Sequence, residues 1–155
     1  MKRPIFFSLL LLVIFSFSHS LSAQNYETAL SLRAGTASGV GIKKVLGRGS
    51  PFAVEALALY RLGGARAVIL FEGHVELYDG GYLVLGAGGH GGYRFVSVEN
   101  RSFPVAGLDA IIEYEHELYN APIVMGLYFK PHYEFLIPQL FYTHNIGLSV
   151  KILMD

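Results

Sequence analysis

From residue 24 onward the chain is strongly apolar and yet holds no apolar run longer than about five residues, as at Ala67 to Phe71. A membrane-spanning helix needs roughly 18 to 20 consecutive apolar residues, so helices cannot carry this segment across a bilayer. Helical periodicity is hard to find, whereas two-residue alternation recurs throughout. The composition sharpens the constraint: 52% of residues are hydrophobic, 15% are charged, and the mean hydropathy is +0.42. An apolar chain that alternates has one way to satisfy its backbone inside a bilayer, the closed β-barrel. Eighteen glycines and a Phe and Tyr content of 11 and 10, with no Trp, point the same way.

Residues 1–23 read separately. Lys2 and Arg3 precede an apolar run from Ile5 to Phe17, followed by small and polar residues up to Ala23. This is the pattern of a cleaved signal peptide, too short for a span, with Gln24 as the new N-terminus. Residues 24–155 then form one domain. Without Lys2 and Arg3 the 12 basic side chains become 10 against 12 acidic ones, a net charge of −2. No basic stripe of the kind nucleic acid requires is visible. The chain has no cysteine, which excludes disulfides, thiolate chemistry and a lipid-anchor cysteine.

Turn residues divide the domain into eight expected strands, at 25–35, 39–47, 51–62, 66–78, 82–96, 104–118, 121–131 and 139–154. Asp79-Gly80-Gly81 is the clearest hairpin signal. Alternation assigns faces. Phe71, Val75 and Leu77 oppose Glu72, His74 and Glu76. Leu108, Ala110, Ile112 and Tyr114 oppose Asp109, Ile111, Glu113 and Glu115. Leu148, Val150 and Ile152 oppose Gly147, Ser149 and Lys151. The polar face also carries Gly39, Gly41, Gly86, Gly88, Gly92, Gly107, Gly126 and Gly147. A narrow lumen needs such gaps opposite large side chains, and a solvent-facing surface does not. The expected fold is therefore all-β: an up-and-down, antiparallel, eight-stranded transmembrane barrel, apolar outside and charged inside. Leu57, Leu59, Phe71, Leu85, Leu108, Ile112, Leu127 and Val150 are the expected lipid-facing residues.

Several motifs resemble one family, the small eight-stranded outer-membrane β-barrel proteins of Gram-negative bacteria (porin-like, with an outer membrane protein β-barrel domain). Leu30-Ser31-Leu32-Arg33-Ala34-Gly35 with Ser38-Gly39 and Lys43 is similar to the family's opening. Ala53-Val54-Glu55, Gly86-Ala87-Gly88-Gly89-His90-Gly91-Gly92 and Gly107-Leu108-Asp109, followed by Glu115, Pro122 and Lys130-Pro131, continue the match in order. The resemblance covers nearly all of residues 24–155. It departs at the C-terminus, Leu153-Met154-Asp155, where an aromatic is usual, and at Lys151, His116 and Tyr128. It implies residence in the cell outer membrane, contact with outer-membrane lipid and with the barrel assembly machinery, and no fixed activity.

The chemistry-bearing residues are those expected in the lumen: Arg33, Lys43, Glu55, Glu72, His90, Arg94, Asp109, Glu113, Glu115, Lys130 and Lys151. Buried charges must be paired or they cost several kcal/mol each, so these are expected to form a plugging network. Lys43 would lie across a hairpin from Glu55, and Asp109 across one from Lys130. Glu72, His74, Glu76 and His90 include metal-ligand types, and Glu72 would stand opposite Gly88 if Tyr78 faced Tyr82. A lipid-modifying site would need Thr143, His144, Ser149 and Glu134 to converge. Tyr26, Tyr60, Tyr78, Tyr82, Tyr93, Phe95, Phe103, Tyr119, Tyr133, Phe135, Phe141 and Tyr142 are expected in two aromatic girdles. With both termini periplasmic, the outer loops are 36–38, 63–65, 97–103 and 132–138, too short for an adhesive crown. The expectation is a monomeric envelope protein with no cofactor, no metal and no catalytic role. The alternatives are a soluble periplasmic lipocalin-like barrel holding an apolar ligand, and a lipid A-modifying enzyme.

Overall fold

A computed structural model describes residues 26–47, 49–61, 63–96, 101–136, 140–143 and 145–154. The expected signal peptide lies outside these residues, as does His144. The described chain is all β-structure: β1 (Thr28–Gly35), β2 (Ser38–Val45), β3 (Phe52–Arg61), β4 (Gly64–Tyr78), β5 (Gly81–Val96), β6 (Arg101–Glu117), β7 (Ile123–Phe129), β8 (His132–Glu134), β9 (Leu140–Tyr142) and β10 (Ile146–Met154). Every pairing is antiparallel, and β1 pairs with both β2 and β10, which closes the sheet on itself. β7 and β8 continue one ladder against β6, from Glu117↔Val124 to Gly107↔Glu134. β9 and β10 share the last wall position, with a register change of one residue between Tyr142 and Ile146. The ten segments thus make eight staves.

The turns are built by residues that accept a left-handed backbone. Gly80 (φ 77°) and Asn120 (φ 99°) occupy the β4–β5 and β6–β7 connections, where a β-branched residue would be strained. β6 starts at Arg101 rather than 104, so the last three residues of the expected 97–103 loop are wall. The expected 132–138 loop likewise begins with three residues of strand. Pro131 was read as ending the seventh strand. It forfeits the N–H that would donate to Ala110, but its carbonyl still accepts from Ala110 N at 3.0 Å, so the ladder against β6 continues.

The stagger fixes the geometry. In register, the path from Tyr26 through Leu46, Phe52, Gly73, Leu85, Ile112, Phe129 and Ile146 returns to Thr36, ten residues further on. With a rise of about 3.3 Å per residue and about 4.7 Å between strands, that stagger over eight strands gives a tilt of about 40° and a backbone radius of about 8 Å. Side chains from opposite walls meet across such an interior and fill it.

The interior is layered, and three strands spell the layers out. From the end holding both chain termini, β3 presents Ala53, Glu55, Leu57, Leu59 and Arg61 inward, β4 presents His74, Glu72, Leu70, Val68 and Arg66, and β6 presents Glu115, Glu113, Ile111 and Asp109. An apolar plug (Tyr26, Ala29, Val45, Ala53, Val124) comes first. A charged layer follows, then an apolar layer of Leu57, Leu59, Val68, Leu70, Ile111 and Tyr128, then a second charged layer. Leu57 and Leu59 are therefore interior, 3% and 6% exposed, and not on the outer face as expected. They share parity with Glu55, and the apolar layer needs their bulk. Tyr26 and Tyr82 also point inward, at 3% and 4% exposed, and so leave the expected girdles. Phe71, Leu85, Leu108, Ile112 and Leu127 are exposed on the outer surface, and Val150 is half-buried there.

Candidate functional site

The charged interior is built by alternation: a residue two positions from an inward carboxylate is also inward, and the tilt sets which strand it reaches. The first layer is a chain of contacts. Lys43 Nζ lies 2.7 Å from Glu115 Oε1 and 2.9 Å from Glu72 Oε2, the latter an ion pair without the alignment of a hydrogen bond. Lys151 Nζ donates to Glu115 Oε1 at 2.7 Å and to Glu113 Oε1 at 2.6 Å. Arg33 Nη2 bridges Glu113 Oε2 at 3.1 Å and Glu55 Oε2 at 2.5 Å. Ser31 Oγ donates to Glu55 Oε1 at 2.5 Å, and Ser149 Oγ donates to Glu113. All of these side chains are buried. Three cations thus face four carboxylates. The Arg33 guanidinium also sits 4.7 Å over the Tyr128 ring, which ties this layer to the apolar one above it.

The second layer lies toward the end away from the termini. Asp109 holds Lys130 through Oδ1 and His90 Nδ1 through Oδ2, the latter at 2.5 Å. Glu134 divides its oxygens between two arginines: Arg66 Nη2 to Oε1 at 2.5 Å and Arg94 Nη2 to Oε2 at 2.8 Å. Arg66 Nη1 also contacts His132 Nε2 at 2.7 Å, and Arg94 donates to the Tyr142 hydroxyl at 2.7 Å. His132 stacks on Tyr142 with ring centroids 4.8 Å apart, so Tyr142 is not a girdle residue.

All eleven residues expected in the lumen lie inward, Arg94 with 27% of its side chain exposed and the other ten buried. The expected partnerships differ. Lys43 and Glu55 are paired in register but bind other groups. Asp109 stands opposite His132, not Lys130, which reaches it diagonally. Glu72 stands opposite Gly86 rather than Gly88, because Tyr78 faces Gly81 instead of Tyr82 and an irregularity between Glu76 and Tyr78 shifts the register by one residue more. That two-residue offset preserves faces, so His90 stays inside.

Six members of the network were not among those expected: Ser31, Arg66, His132, Glu134, Tyr142 and Ser149. The signal was available in the period of Lys130, His132 and Glu134 and in the parity of Arg66 with Glu72. Reading Pro131 as a strand end hid the first of these signals.

The metal-ligand candidates do not converge. His74 contacts the Pro51 carbonyl at 3.1 Å near the termini end, while His90 is held by Asp109 in the far layer. No group of three His, Cys, Asp or Glu suited to a metal occurs among the described residues. Of the lipid-modifying candidates, Ser149 is committed to Glu113 and Glu134 to two arginines. Comparisons with protein-family models, with curated proteins and with solved structures find no match.

Proposed function

We propose that this protein is a small, monomeric, integral outer-membrane β-barrel of a Gram-negative envelope. In this reading it is exported by residues 1–23, inserted by the barrel assembly machinery, and held by outer-membrane lipid. Its role is structural and needs no cofactor and no catalysis. One observation carries the reading, the inversion of the barrel. Ile42, Ile69, Leu85, Leu108, Leu127 and Leu148 are 47–63% exposed on strands around the wall, while six cationic and six carboxylate side chains meet in the interior. A water-soluble monomer rarely exposes so continuous an apolar surface. Lipid on the outside and paired charge in the lumen is the arrangement a membrane barrel requires.

The inversion also weighs against a lipocalin-like carrier, whose ligand needs an apolar cavity where this barrel holds ion pairs. The test is fractionation. The protein is expected in the outer-membrane fraction, resistant to high-salt extraction, and shifted on a gel by heating before electrophoresis. Recovery as a detergent-free soluble monomer overturns the reading.

A further inference from the structure

The far end of the barrel holds a cavity of about 260 Å³ lined by Arg61, Arg66, Arg94, Lys130, His132 and Tyr142, among others. Its charge is unbalanced. Among the described residues the four permanent cations there meet two carboxylates, Asp109 and Glu134, both already engaged. Arg61 has no carboxylate within ion-pair distance among the described residues, and its guanidinium lies 6.0 Å from the centre of the Tyr142 ring. The termini-side layer has the opposite surplus, four carboxylates to three cations. A plug alone does not call for two extra positive charges around an open cavity, since same-sign charges confined between apolar walls repel and concentrate counter-ions.

We propose that this mouth binds a phosphoryl group, carried either by a soluble phosphate or by a phosphorylated lipid headgroup. Three guanidinium groups come from three successive strands, Arg61 on β3, Arg66 on β4 and Arg94 on β5. Planar forks converging from different walls suit a tetrahedral oxyanion with several acceptor oxygens. Glu134 acts as a positioning residue: it spends one nitrogen of Arg66 and one of Arg94 and fixes both forks at the cavity. Arg66 and Arg94 remain reachable, with side chains 16% and 27% exposed. His132, buried in the cavity wall, keeps its Nδ1 without a hydrogen-bond partner, a further polar group that a bound anion or its hydroxyl would satisfy.

The test uses the full mature protein. In one arm, inorganic phosphate is titrated at constant ionic strength into protein folded in an uncharged maltoside detergent. In the other, phosphatidylcholine nanodiscs with and without phosphatidic acid are compared by native mass spectrometry for retained lipid. Arg61→Gln is the diagnostic variant, because Arg61 holds no carboxylate whose loss would disturb the fold. Arg61→Lys, which keeps the charge, guards against misfolding, and exposed Lys44→Gln at the opposite end is the control. Saturable binding that weakens about tenfold or more in Arg61→Gln, the loss of a charged hydrogen bond, less in Arg61→Lys and not in Lys44→Gln, supports the site. Binding in the first arm assigns a soluble phosphate, and binding in the second alone assigns a lipid headgroup. Absence of binding in both arms, or binding indifferent to Arg61, overturns the proposal and leaves the barrel's membrane placement untouched.

Discussion

Lys43 and Glu55 stand opposite one another in the β2–β3 ladder, yet each takes its ion partner from elsewhere in the barrel. Lys43 crosses to Glu115 on β6 and reaches Glu72 on β4, and Glu55 accepts from Ser31 and Arg33 on β1. In a barrel about 8 Å in radius, long side chains from opposite walls touch. A contact across the lumen then fixes closure as well as local register.

That arrangement makes a coupling prediction. Among the described residues Glu72 has Lys43 as its ion-pair partner. Lys43→Met therefore strands buried carboxylates and is expected to cost about 3 to 5 kcal/mol in urea unfolding from lipid vesicles. Adding Glu72→Gln should restore part of the loss. Adding Glu55→Gln should restore none and cost more, because it strips Arg33 of a partner. A larger rescue by Glu55→Gln would mean that ladder neighbours, and not groups across the lumen, carry the pairing.

The two faces respond differently to substitution. Leu108→Arg and Leu127→Arg put a charge on the outer surface, at an expected cost of about 2 to 4 kcal/mol if they lie near the bilayer midplane. Leu57→Ala empties part of the inner apolar layer and is expected to cost about 2 to 5 kcal/mol through a cavity. Spin labels separate the cases without reference to stability. A label at Leu108 or Leu127 should relax strongly with lipid-dissolved oxygen, and one at Leu57 should meet neither oxygen nor an aqueous nickel chelate. Equal oxygen access at all three positions would count against the facing.

Glycine supplies a third test, because its cost depends on what a methyl group would meet. A Cβ at Gly126 would fall 2.5 Å from both Glu113 Oε1 and Ser149 Oγ, inside the first charged layer. Gly126→Ala must push that network aside, and overpacking of this kind costs about 1 to 3 kcal/mol. A Cβ at Gly91, exposed on the outer surface of β5, meets nothing within 4 Å. Gly91→Ala should be neutral or stabilising by up to about 1 kcal/mol, through a stiffer unfolded chain. Melting curves of the two variants side by side are the measurement. Equal destabilisation would show that backbone conformation, not lumen crowding, governs these glycines.

The alternation was legible in the sequence because charge marks parity without ambiguity: one glutamate on a strand fixes the face of every second residue. That is why the interior positions of Glu72, Asp109, Glu113 and Lys151 could be read directly. On β3 that rule was available and was not applied: Glu55 marks Leu57 and Leu59 as inward, but alanine, valine and tyrosine leave both faces otherwise apolar and the large leucines suggested lipid. The three-dimensional stack, in which an apolar layer separates two charged ones, supplies the reason for large leucines there. The pairing itself was not legible. The tilt carries each long side chain to a strand that its ladder neighbour does not predict, and the Tyr78↔Gly81 pairing plus a one-residue irregularity between Glu76 and Tyr78 puts the β4–β5 register two residues from the expected one. Of the cationic mouth, Arg94 and Lys130 were expected inside, whereas His132 and Glu134 were hidden by ending the seventh strand at Pro131, whose carbonyl still serves the ladder.

The stacking also bears on conduction. An ion entering from the far mouth would pass the Arg66–Glu134–Arg94 group, then the apolar layer that includes Leu57, Leu70, Ile111 and Tyr128, then the Lys43–Glu115–Lys151 chain, and last the plug around Tyr26 and Val124. Dehydrating an ion at the two apolar layers is costly, and eight strands leave little free cross-section. Planar-bilayer recording of the purified protein is expected to show no step on the scale of a 16- to 18-stranded porin. Leu57→Ala should not open one, because Leu59, Leu70 and Tyr128 still fill the layer. Combining Leu57→Ala with Tyr128→Ala removes bulk from two walls at once, and is the variant in which small, brief openings are expected. Porin-sized steps in the wild type would show that the layers part in the membrane, and would replace the plugged barrel with a channel.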